Sequence, residues 1–351
     1  MRTFSHPGYK RFLLSVGCLL SIHFTALFFL TLFRLVFFFS ANYDFPDQEH
    51  VGFMSIWPAF IRGVWFDNVI ACYILLIPLV AVSISALFNY YGKILWNVTC
   101  IFFSLFYGIV LLVTAANIPY FQYFFKIINS SVFNWFGYMN TTAGMVFGET
   151  SYYPPLIGFL LTLVLFIWLM RRLIRHFQRL LNTKNPSVFW LDRIYIFLTA
   201  CICIGLCLFG IRGRTGYNPI KVSAAYYCTD PFLNQLGISP VFNLLSSTLD
   251  DSRKENRYLH LMPENEALEN TRHYLNRPGI EGISPIARQI NASDSLRRPN
   301  IVLIFMESMS AHLMKRFGQQ KELTPFLDSL YRQSLAFSNF YSSGIHTNHG
   351  M

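Results

Sequence analysis

Phe12 to Ser40 reads FLLSVGCLLSIHFTALFFLTLFRLVFFFS, a run with a single charged residue, Arg34. A bilayer core requires about 20 apolar residues of helix, so this stretch is long enough to span one. Arg2, Lys10 and Arg11 precede it, as in a secretory leader. The run is nevertheless longer than the h-region of a typical leader and lacks an A-x-A cleavage site, so it reads as a retained anchor. Four further runs follow the same logic: Val69 to Phe88, Ile94 to Ile118, Leu156 to Ile174 and Ile194 to Ile211. The composition agrees, with 53% hydrophobic and only 13% charged residues, where a soluble domain carries about 25% charged. The expected architecture is a five-span α-helical membrane domain over residues 1–211.

Lys and Arg in the short loops set the orientation. With the N-terminus in the cytoplasm, ten basic residues fall inside, among them Arg171, Arg172, Arg175, Arg179 and Lys184 in one acid-free loop, against five outside. Five spans then place the C-terminal region outside the cell membrane. The formal charge of +10 is accounted for by this topology, and no nucleic-acid partner is implied. Six of the seven cysteines lie within apolar runs, Cys201, Cys203 and Cys207 together, and read as small packing residues. Arg34 is expected to snorkel to the outer interface, with pairing to a lipid phosphate as the other reading. Arg212 and Arg214 flank Gly213 just past the last span, where two guanidinium groups would suit phosphate recognition or simple headgroup anchoring. Pro119 to Pro155, rich in Phe, Tyr and Trp, reads as interfacial helices or as a loop packed over the bundle.

Residues 212–299 read as an extracytoplasmic linker. Its first part, up to Ser247, is expected to be irregular and packed near the membrane. Beyond it, Pro263 followed by Glu264 and Glu266, with Arg272 and His273 a few turns later, predicts a short helix matched to its own dipole. From Asn300 the pattern becomes α/β. Asn300 to Met306 (NIVLIFM) predicts a buried strand that delivers Glu307 at its C-terminal end, where α/β sheets keep their chemistry. Thr324-Pro325 predicts a helix start, and Leu335 onward alternates as a second strand leading to a turn with His346, Thr347 and His349. A threonine hydroxyl is a poor nucleophile unless a cation or a base assists it, and Glu307 could hold that cation. His346 and His349 are candidates for substrate binding.

In succession, NIVLIFMES, TPFLDSL, FSNFYSSG and IHTNHG resemble the opening of the catalytic domain of the lipoteichoic acid synthase and phosphoglycerol transferase family, within the sulfatase and alkaline phosphatase superfamily. The five spans and the stretch Ile211 to Leu245 are similar to that family too. The resemblance implies an alkaline-phosphatase-like α/β domain beginning in residues 300–351. It implies Glu307 as a ligand for a divalent metal, usually manganese, and Thr347 as nucleophile and ligand. The implied partners are a phospholipid donor and a glycolipid or glycan acceptor in a bacterial cell envelope. Phosphoethanolamine transfer and a non-catalytic lipid-binding role are the alternatives. The family's remaining ligands lie well downstream of the nucleophile, so the chain is expected to be an N-terminal fragment or truncated product, inactive by itself.

Overall fold

The computed structural model describes residues 6–41, 53–148, 150–181, 190–253, 261–275, 287, 300–306, 309–337 and 339–341. Five long apolar helices form where the hydropathy placed them: α1 (Pro7–Ser40), α2 (Phe53–Leu87), α3 (Lys93–Phe124), α5 (Tyr153–Leu181) and α6 (Trp190–Arg212), with the shorter α4 (Met139–Gly148) before α5. Each is long enough to cross a bilayer. α1 is central and packs against the other four, while α2 also packs on α6 and α3 on α5. In lipid such packing rests on side-chain interlocking rather than on the hydrophobic effect. Aromatic edges supply much of it: Phe166 of α5 meets Phe29 of α1 at 6.0 Å and Tyr107 of α3 at 5.3 Å, ring centre to ring centre. The opposite faces show large apolar side chains outward, among them Phe28, Ile101, Val164 and Leu206, as lipid-facing surfaces do.

The second helix begins sixteen residues before the expected Val69, because Pro58, Arg62, Gly63 and Asp67 interrupt the apolar pattern without breaking the helix. Proline is tolerated where neighbouring helices re-satisfy the backbone. This extension corrects the reading of Arg34. The residue is only 5% exposed and does not snorkel; Nη2 donates to Asp67 Oδ2 at 2.6 Å. Nη1 donates to the carbonyls of Leu236 and, at 3.2 Å, Ile238. A Cβ at Gly63 would fall 2.2 Å from Arg34 Cζ, so glycine is what admits the guanidinium between the helices.

The chain after α6 folds back onto the same end of the bundle. Gly213 sits at φ +73°, donates to Phe209 O at 3.0 Å and turns the chain out of the helix. Two short helices follow, α7 (Pro231–Leu236) and α8 (Pro240–Ser252), where an irregular packed segment was expected. Asp230 caps α7 through Leu233 N at 2.8 Å, and Phe232, Leu233 and Leu236 are buried. Tyr227 lies beneath the guanidinium of Arg62 at 4.6 Å, and its hydroxyl donates to Ser55 O at 2.6 Å. Burial, and then the neighbouring Cys228, hold this phenol above its ordinary range, so it remains a donor. The aromatic loop forms a 3-10 segment (Ser130–Tyr138) that leads into α4. Trp135 packs on Tyr120 and Phe124, while Phe136, Tyr138 and Phe147 are exposed.

One prediction follows from Gly213. An alanine there would carry its Cβ to 2.7 Å from Ile220 and hold a left-handed backbone, which costs roughly 1 to 2 kcal/mol. Gly213→Ala is therefore expected to lower the melting temperature of the detergent-solubilised protein by several degrees, with the five-helix dichroism unchanged.

Residues Met1–His260 form one compact unit and Leu261–Met351 a second. In the second, the expected helix forms as Glu264–Leu275 with its acids first and bases last. The helix expected from Thr324-Pro325 forms as Pro325–Gln333. The strands expected at 300–306 and from 335 are not formed among the described residues. Ile301 to Met306 are exposed side by side. A strand exists only by pairing, and an all-apolar run of this kind needs cover on both faces, which no described neighbour supplies.

Candidate functional site

Just after Glu307 and Ser308, residues 310–333 form a small scaffold. Ser310 accepts from His312 N at 3.3 Å, and two 3-10 turns (Ala311–Leu313 and Lys315–Phe317) end at Gly318, φ +99°. Asp328, one turn into the following helix, accepts from Thr324 Oγ1 at 3.2 Å and from Lys315 N at 3.4 Å. Thr324 Oγ1 also reaches Leu313 O at 3.2 Å, so it ties the turns to the helix rather than capping its own N–H groups. Lys315 pairs with Glu322, whose carboxyl is held below its ordinary range by that hydrogen bond and charge. Arg316 stacks over Tyr331 at 4.4 Å. These contacts hold residues 310–333 together.

Glu307, His346, Thr347 and His349 themselves lie outside the described residues. Among the described residues no group of three or more His, Cys, Asp or Glu side chains is placed to hold a metal ion, and the thiols of Cys201, Cys203 and Cys207 are free. Residues 299–351 match the family described as Sulfatase. The sulfatase match covers every residue from the predicted strand to the predicted nucleophile turn and thus includes both Glu307 and Thr347. The second unit thus carries a stretch similar to the sulfatase superfamily, in a chain with five membrane-spanning-length helices. No curated protein and no solved structure matches the chain.

Arg212 and Arg214 are described, both exposed. Arg212 Nη2 donates to Gly216 O and, at 2.8 Å, to Tyr217 O, which closes the turn after α6. Trp65 of α2 donates its indole N–H to Gly213 O, so the turn is pinned to the bundle.

A feature with no counterpart in the sequence reading lies beside this turn. A cleft of about 400 Å³ runs between α1, α2 and α6, lined mainly by apolar side chains but also by His23, Asn68, Cys72 and Cys207. His23 Nε2 and Asn68 Oδ1 are 3.0 Å apart. Since the amide oxygen only accepts, Nε2 is the donor and Nδ1 is left as an acceptor. That Nδ1 is buried and has no partner among the described residues. A histidine inside the first apolar run and an asparagine at the edge of the second were the available sequence signal.

Proposed function

We propose that the protein is a membrane-anchored, metal-dependent transferase. It moves a phosphoglycerol group from a phosphatidylglycerol-like lipid, through an intermediate on Thr347, to a glycolipid or glycan acceptor of the cell envelope. The observation that carries this reading is the sulfatase match over residues 299–351 in a chain with five membrane-spanning-length helices. The donor set named for the metal, the Glu307 carboxylate and the Thr347 hydroxyl, is all oxygen and suits a hard divalent cation such as manganese. When bound, such a cation lowers the proton affinity of the hydroxyl and offsets charge on the phosphate oxygens.

Thr347 Oγ forms the new P–O bond, and the P–O bond to diacylglycerol breaks, with the proton lost from Thr347 balancing the alkoxide released. The acceptor hydroxyl reverses these roles and frees Thr347. His346 and His349 donate to the headgroup or its phosphate. With the N-terminus in the cytoplasm, the reaction takes place on the outer leaflet.

Protein expressed from its native gene, in membranes supplied with phosphatidylglycerol labelled in the headgroup glycerol, is expected to acquire the label on the peptide that holds Thr347. Labelled phosphatidylethanolamine should give none. Transfer of ethanolamine would replace this reading with the phosphoethanolamine one. Absence of either adduct in the presence of manganese would favour a non-catalytic lipid-binding protein.

A further inference from the structure

The cleft between α1, α2 and α6 has an end-to-end polarity gradient. One end, the mouth, is lined by Gly213 and Trp65, and the exposed Arg212 and Arg214 adjoin Gly213 in the chain. Along α2, Asn68 lies about 5 Å deeper than Trp65 and Leu79 roughly 20 Å deeper, at 1.5 Å per residue. The first step down is polar: Asn68 and His23, whose buried Nδ1 lacks a partner. Below that, the lining is apolar, with Leu75, Leu79, Val16 and Leu19. The rim residues Leu20, Phe24, Leu206 and Phe209 are exposed on the side that a bilayer would cover.

Charge beside the mouth, hydrogen-bonding groups one turn below and hydrocarbon beneath are the three zones of a glycerophospholipid in the same order. We propose that this cleft holds one anionic glycerophospholipid, with its phosphate at Arg212 and Arg214, its glycerol esters at Asn68 and His23, and one acyl chain running toward Leu79.

Each contact follows from the groups present. Arg212 Nη2 donates to the Gly216 and Tyr217 carbonyls, which limits the motion of its guanidinium in the turn after Gly213. Asn68 Nδ2 is a free donor for an ester carbonyl among the described residues, since its Oδ1 faces His23. His23 Nδ1 accepts from a water that bridges to the second ester. The apolar depth from Asn68 to Leu79, about 16 Å, is half of the ~30 Å hydrocarbon core, enough for a chain of one leaflet. A zwitterionic lipid offers the same chains and esters but cancels the phosphate charge with its amine. The site stands apart from the transfer chemistry, because it uses neither Glu307 nor Thr347.

The test is photo-labelling of the protein in nanodiscs with phosphatidylglycerol that carries a diazirine on one acyl chain. The label is expected on peptides from α1, α2 and α6 around Leu20, Leu75 and Leu206. Two variants at exposed positions leave the packing intact. Leu206→Trp fills the cleft and should reduce cleft labelling to background. Arg214→Glu reverses one charge beside the mouth and should reduce it about tenfold, with little effect on a phosphatidylcholine probe. Labelling spread evenly over α3 and α5 would overturn the proposal, as would labelling indifferent to both variants. Loss with Leu206→Trp but not with Arg214→Glu would show a chain without a bound headgroup and overturn it equally. Since no turnover is read, inactivity in transfer leaves this result standing.

Discussion

Asp67→Leu is expected to destabilise the membrane unit by about 3 to 5 kcal/mol, the range for stranding one charge of a buried pair. Asp67 is 2% exposed and Arg34 5%, so neither can recover hydration by a side-chain swing alone. Arg34 would keep its bonds to the Leu236 and Ile238 carbonyls but lose its counter-charge. The converse variant, Arg34→Met, leaves a bare carboxylate and two unsatisfied carbonyls. The double variant Arg34→Met with Asp67→Leu removes both charges and should recover much of the loss, because a buried pair contributes little over an apolar replacement of similar volume. Thermal unfolding of the three proteins in detergent measures the cycle. Additive losses in the double variant would show that the two residues are stabilised separately.

Thr347→Ala should abolish both headgroup transfer and the adduct on the protein, a fall of roughly 10⁴-fold or more, the scale for removal of an enzyme's nucleophile. Thr347→Ser keeps the hydroxyl and should retain measurable transfer with the adduct shifted to serine. Glu307→Gln keeps the shape but loses the charge that would hold a cation, so its activity should fall steeply and recover in part at high manganese. Adduct formation undiminished in Thr347→Ala would place the nucleophile elsewhere. The helical dichroism of all three variants should match that of the parent.

The bundle was legible because a span of hydrocarbon imposes one simple pattern, and five stretches carry it. The first half of α2 was not, since Pro58, Arg62, Gly63 and Asp67 look like a loop until a partner is known for each. Arg62 has Tyr227 and Ala224 O, and Asp67 has Arg34. Those pairings join residues 33 to 165 positions apart in the chain, and local pattern holds no record of them. The same limit explains Arg34, whose snorkelling was argued from its depth alone. In the second unit, local signals sufficed for the helices, with Thr324-Pro325 opening one and the charge order Glu264 to His273 marking another. Strands depend on neighbours, so the NIVLIFM pattern carried an expectation that is not met among the described residues. Glu307 and Thr347 were singled out from a strand-like run and a turn and given roles through a resemblance, and the sulfatase match over 299–351 supports the superfamily without touching those roles.

The Arg34 clamp also has a mechanical reading. Leu236 and Ile238 are gripped by α1, Asn234 holds the Tyr227 backbone N–H at 2.9 Å, and Asn243 holds Ile128 O at 2.9 Å. A pulling force applied to the C-terminal unit would therefore be borne at α7 and α8 before it reached the end of α6. In a single-molecule extraction experiment the first rupture should fall at this clasp, ahead of any helix leaving the bilayer. Asp67→Leu should lower that first force.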